Sequence, residues 1–123
     1  MANTDSNKLV LLVSHGGNDD KSTVALTIAN AALSSGMEVA VFLTSDAVEL
    51  SRNGAVDMTH VKPFKKLEEL IDSFLGNGGI VWTCAPCFTH RGLNGEDVVE
   101  RATVTGAGPM IDWIKQGAST LSM

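Results

Sequence analysis

Both cysteines of this 123-residue chain lie within residues 82–92, WTCAPCFTHRG. Cys84 and Cys87 are three apart with Pro86 between them, and His90 and Arg91 lie just beyond. A helix that starts at Thr83 or Cys84 takes Pro86 into its first turn, where a missing N–H costs nothing. Cys84 then sits at the helix N-terminus, where free N–H groups and the positive dipole end favour a thiolate. Cys87 at i+3 and Arg91 at i+7 share its face. The expected chemistry is that of an activated nucleophile with a lowered thiol pKa. Free cysteine is also among the most buried residue types and often inert, so two structural cysteines are the plain alternative.

Three chemistries compete for the pair. The string CAPC suggests a thioredoxin-type dithiol. That motif needs a later proline opposite it, and the one later proline, Pro109 in GAGPM, resembles no such loop. Cys84, Cys87 and His90 suggest zinc, but a closed site needs a fourth ligand. His15 is the one candidate expected at the same end of the sheet. The third reading is a sulfur-handling or redox nucleophile.

Residues 16–23, GGNDDKST, look like a phosphate loop and fail as one. Asp20 stands before Lys21 where glycine is required, the spacing is one short, and Asp19 and Asp20 would repel phosphate. A tight strand-to-helix turn with Asp or Ser caps fits better. His15, ending the preceding segment beside Gly16 and Gly17, points toward the site region. It could act as acid, base or anion contact, or be structural. His60, in an irregular loop, receives no role.

The elements that must position these residues follow from hydrophobic patterning. Residues 8–14 (KLVLLVS) and 38–43 (EVAVFL) are continuous apolar runs, as expected of parallel strands covered on both faces. Residues 23–33 carry an Ala-rich helical pattern that Gly36 ends in a left-handed cap. Ser45 or Asp46 can cap a short helix that Gly54 ends. Residues 65–75 form an amphipathic helix with Leu67, Leu70, Ile71, Phe74 and Leu75 on one face. A third strand, 80–83, leads into the cysteines. Residues 93–100 are polar, with a short helix capped by Asn94. A fourth strand at 102–105, a helix at 108–116 and a last strand at 118–122 complete the chain. Alternating strands and helices predict a three-layer α/β/α domain, 1–123, with a mostly parallel sheet. In such sheets chemistry gathers at the carboxyl ends of the strands. Ser14, His15, Gly16, Thr44, Ser45, Cys84, Cys87 and Thr105 are all expected there.

Composition narrows the function classes. The chain is 44% hydrophobic and 19% charged, hence globular, and the low charge hints at self-association. A net charge of −5 without clustered Lys and Arg argues against a nucleic-acid surface. No stretch approaches the roughly 18 apolar residues of a membrane span. The polar start, MANTDSNK, has no secretory pattern, and two cysteines are no disulfide scaffold. Cytoplasm is the expected compartment.

Over nearly its whole length the chain resembles the DsrE/DsrF-like family of small sulfur-trafficking proteins. The resemblance rests on VSHGGND, EVAVFLTSDAV, LEELIDSFLGNGG, WTCAPCFTHRGL and the final GASTLSM. Its most specific element is a cysteine followed seven residues later by Arg-Gly, here Cys84 with Arg91 and Gly92. It implies a five-stranded parallel sheet between helices, in a homotrimer or homohexamer. It implies that Cys84 carries sulfur as a persulfide and that Cys87 is a second cysteine of some relatives. It places strand three beside strand two and strand two beside strand one. The tips bearing His15 and Cys84 are then about 10 Å apart.

Taken together, these readings predict a sulfur-transfer protein. Cys84 attacks a donor persulfide or polysulfide and passes the outer sulfur to an acceptor thiol. Cys87 could resolve the persulfide as a disulfide, Arg91 and the helix N-terminus favour the thiolate, and His15, Gly16 and Ser45 shape the mouth of the site, with Arg91 counted among the substrate-binding residues. No metal or organic cofactor is required. The partners are sulfur donors and acceptors, either proteins or low-molecular-weight persulfides. A dithiol oxidoreductase using the same cysteines and a non-enzymatic oligomeric binding module are the competing readings.

Overall fold

A computed structural model describes residues 7–93 and 95–123. Five strands form one all-parallel sheet in the order β4-β3-β2-β1-β5: β1 is Lys8–Val13, β2 Glu38–Leu43, β3 Ile80–Cys84, β4 Ala102–Thr105 and β5 Ser119–Ser122. The helices are α1 (Asp20–Ser34), α2 (Leu67–Gly76), α3 (Ala85–His90) and α4 (Gly108–Lys115). The expected α/β architecture is therefore present, with a sheet parallel throughout.

Side-chain alternation splits the apolar strands between two cores. Leu9, Leu11, Val13, Val39, Val41, Leu43 and Val81 face α1 and α2 and pack with Ala25, Leu26, Leu70, Ile71, Phe74 and Leu75. Val10, Ala40, Phe42 and Trp82 face the other way, toward Met110 and Trp113 of α4. Trp82 and Trp113 meet edge to face, with centroids 5.4 Å apart and planes at 83°. The Lys8 ammonium lies 4.4 Å over the Trp113 ring. This second layer is thin, since no residue of α4 is fully buried.

Helix boundaries follow local chemistry. α1 starts three residues before the expected Thr23 because Asp19 caps it, its carboxylate accepting from Lys21 N–H at 2.9 Å. The turn reading of residues 16–23 therefore accounts for the glycine loop. The segment after β2 is a 3-10 helix, Ser45–Ser51, with Thr44 at its N-cap and no side-chain cap bond. Neither Ser45 nor Asp46 caps it. A short 3-10 turn spans Gly95–Asp97, and the expected cap Asn94 lies outside the described residues.

One rung of the sheet sets the level of the site. Val13 pairs with Leu43, Leu43 with Thr83 and Thr83 with Val104. The next residues along, Ser14, Thr44, Cys84 and Thr105, share the carboxyl edge. With β2 between β1 and β3, His15 and Cys84 rise from strands two spacings apart, about 10 Å.

Candidate functional site: a thiol pair at the carboxyl edge of the sheet

Cys84 ends β3, and the period of the strand puts it on the same face as Trp82. It packs, half-buried, against the cluster of Val10, Ala40, Phe42 and Trp82. Its backbone is extended at φ −62°, ψ 115°, and it forms the N-cap of α3 without a side-chain cap bond. Pro86 lies in the first turn as expected. Cys87 follows one turn into α3, also half-buried, and both thiols are free.

The two sulfurs are unequal. Burial pushes the Cys84 thiol up first, and donation of its S–H to Cys87 pushes it further. The nearby Cys87 N–H and the more distant Arg91 work the other way and are outweighed. The Cys87 thiol is held down first by the hydrogen bond from Cys84 and next by the main-chain N–H of Ser45. Burial opposes this, and Arg91 adds a smaller attraction. The expected lowering of the Cys84 pKa is thus reversed. A six-residue helix offers little dipole, and the apolar cluster beside Cys84 disfavours its charge.

Ser45 reaches Cys87 through its backbone. It is the one non-glycine residue with positive φ among the described residues, at φ 50°, a left-handed conformation that costs energy in any residue with a Cβ. The turn is tied to α3 by Arg91, whose guanidinium donates to Asp46 Oδ1 at 2.9 Å and to the Cys87 carbonyl at 3.3 Å. Arg91 is therefore not a free cation on the face of Cys84. It follows the end of α3 and directs its charge to Asp46. With Asp46 largely exposed, this bridge contributes little stability, and its effect is positional. Gly16 is buried against the same turn, where an added methyl group would lie 3.3 Å from the Asp46 carbonyl oxygen.

The Arg-Gly step after the cysteines has a backbone explanation. Gly92 N–H donates to the Thr89 carbonyl at 2.9 Å and Leu93 N–H to the Phe88 carbonyl at 3.2 Å. These two bonds form a Schellman termination, which requires a left-handed residue at Gly92, here at φ 66°. Gly92→Ala is expected to destabilise the fold by about 1 kcal/mol. Chemical denaturation checks this, and an unchanged midpoint would contradict it.

His15 is not brought to the thiols. Its Nδ1 stands 3.1 Å from Asp19 Oδ2, and it lines an open cleft with Ser14, Lys21 and Ser122 on the β5 side of β1. Asp19 has a lowered pKa, chiefly because it accepts from Lys21 N–H, with His15 a lesser cause. Among the described residues no three His, Cys, Asp or Glu side chains assemble as a metal-holding group, so Cys84, Cys87 and His90 do not form the zinc set considered above. Pro109 lies in the first turn of α4, where it serves as a helix start. Sequence reasoning named Ser45 but not its main-chain N–H, and it offered Asp46 as a helix cap and not as the partner of Arg91. The Arg91–Asp46 pair spans 45 residues, and no local pattern marks it. Asp19 was legible as a cap and not as the partner of His15.

The DsrE/DsrF-like family model matches residues 7–123. The chain belongs to the DsrE/DsrF-like family. It is 28% identical over 102 residues to an uncharacterized protein of Methanopyrus kandleri, covering 83% of this chain and 81% of that one. The crystal structure of the ychN protein from E. coli superposes with a TM-score of 0.78 at 15% identity, over 96% of this chain and 99% of that one. A protein of unknown function from Methanobacterium thermoautotrophicum gives a TM-score of 0.70 at 19% identity, over 96% and 100%. At these identities the two structures speak for the shared DsrE-like fold. DsrE-like proteins are in general related to sulfur relay, and in this member the cysteine seven residues before Arg-Gly is Cys84, at the end of β3.

Proposed function

We propose that this chain carries sulfane sulfur on the Cys84–Cys87 pair, with Cys84 as the residue that holds it. The supporting observation is the pair itself: two free thiols one turn apart, each shifting the other's pKa, at the carboxyl edge of a DsrE-like sheet. A thiolate attacks the outer sulfur of a donor persulfide, and the resulting protein persulfide yields that sulfur to an acceptor thiol. Donor and acceptor are other thiol proteins or small persulfides, in keeping with the reduced thiols of a cytoplasm. Gly16, Ser45 and Arg91 shape the approach around the turn after β2, and His15 stands apart on the other side of that strand. The test is incubation with polysulfide followed by intact mass. A gain of one sulfur that disappears in Cys84→Ser/Cys87→Ser is the expected result, and no gain in the wild type removes the proposal.

The two free thiols one turn apart also favour a second reading, a dithiol/disulfide oxidoreductase using the same residues. That reading predicts loss of two hydrogens under mild oxidant, requiring both cysteines, and no sulfur gain.

The chain is further proposed to act as a homo-oligomer, a trimer or hexamer. Support comes from α4, which leaves Ile111 45% and Ile114 40% exposed beside the thin second core. Ile111→Asp with Ile114→Asp is expected to lower the mass seen by light scattering to that of one chain. A monomeric wild type would sink this idea. Among the described residues no helix is long and apolar enough to cross a membrane.

A further inference from the structure

The carrier reading leaves open how sulfur reaches Cys84, whose thiol is packed on an apolar cluster. We infer that sulfur enters on Cys87 and then moves to Cys84, a two-step relay within one chain that rests on that carrier reading.

The geometry separates the two roles. Cys87 stands on α3, which packs against the 3-10 segment, and its thiol is held down by Cys84 first and by the Ser45 N–H next. Ser45 is left-handed, and its turn is held against α3 by the Arg91 bridge between Asp46 and the Cys87 carbonyl. Backbone strain kept at such a point is what a preorganised anion site needs. Cys84 instead packs on the apolar cluster of Phe42 and Trp82. The acids of the 3-10 segment are Asp46 and Glu49, and Asp46 is committed to Arg91. His90 ends α3 and is exposed. Strands β3 and β4, also packed on α3, carry no ionisable side chain besides Cys84. No further charge on these elements reverses the order of the two thiols.

The chemistry balances without an oxidant. The Cys87 thiolate attacks the outer sulfur of the donor R–S–SH, and the S–S bond breaks with its electrons onto the donor sulfur. Cys87–S–SH forms, and the departing thiolate takes the proton of Cys84 to leave as R–SH. The Cys84 thiolate then attacks the outer sulfur of Cys87–S–SH. That S–S bond breaks onto Cys87, restoring its thiolate and leaving Cys84–S–SH. A stabilised thiolate is the better leaving group, so the second step runs toward Cys84. The same features that make Cys87 the entry point make it a poor resting place.

The experiment pulses the protein with polysulfide between pH 6 and 9, blocks all sulfhydryls and maps the adducts by peptide mass. In the wild type, sulfur is expected to accumulate on Cys84. Cys84→Ser is expected still to take up sulfur and to keep it on Cys87. Cys87→Ser is expected to load Cys84 about tenfold or more slowly at pH 7, recovering roughly tenfold per pH unit as the remaining thiol ionises. Iodoacetamide on the unmodified protein at pH 7 gives a readout free of any substitution: Cys87 is expected to be alkylated first. Cys84 alkylated first, Cys87→Ser loading at the wild-type rate, or Cys84→Ser failing to load would each overturn the relay and leave the carrier reading standing. A wild type that takes up no sulfur overturns both.

Discussion

Cys84→Ser is expected to cut the sulfur retained after a challenge with excess small thiol at least about tenfold, with uptake preserved. In the proposed relay the wild-type persulfide rests on Cys84, which is half-buried against Val10, Ala40, Phe42 and Trp82. Breaking that S–S bond expels a thiolate into apolar surroundings that disfavour it. In the variant the sulfur remains on Cys87, whose anion is stabilised by the Ser45 N–H, so a competing thiol strips it faster. The measurement is sulfur remaining by intact mass against time of challenge. Equal retention in variant and wild type would show that Cys84 is not the resting site. A serine fits the volume of the half-buried thiol, so the circular dichroism spectrum should be unchanged.

Phe74→Ala is expected to cost about 3–5 kcal/mol, a large share of the 5–15 kcal/mol that holds a typical domain together. Phe74 is the largest fully buried side chain among the described residues, on the face of α2 turned toward the sheet. Its ring fills the space left at Gly79, where an added methyl group would lie 2.5 Å from the ring carbons. Gly79 leads into β3, so the ring braces the entry to the strand that ends at Cys84. Truncation leaves a cavity under a turn with no side chain to collapse into it. Guanidinium denaturation should show a lower midpoint at a similar slope. A shift worth less than about 1 kcal/mol would mean the site relaxes around the gap.

The strands and helices were legible wherever burial dominates. β1, β2 and β3 are covered on both faces, so their apolar runs stand out without alternation. α2 announces itself through Leu67, Leu70, Ile71, Phe74 and Leu75, all of them buried. Boundaries were harder, because caps decide them. Asp19 draws α1 back to Asp20, and the thiol of Cys84 stays in β3 while its backbone opens α3. The 3-10 geometry of Ser45–Ser51 was not legible either, since it follows from the left-handed turn at Ser45 packed against α3.

By itself the sequence determined an α/β sheet, the DsrE-like resemblance and a thiol pair one turn apart at the end of the third strand, because hydrophobic period, a first-turn proline and a Cys-to-Arg-Gly spacing are all local. The tertiary structure alone decided which thiol is favoured as the anion. The Ser45 N–H and the Asp46 that anchors Arg91 come from the loop after β2, and the apolar cluster that burdens Cys84 comes from β1, β2 and β3. A thiol pKa is set by whatever surrounds the sulfur in space, and for Cys84 and Cys87 most of those surroundings are remote in the chain.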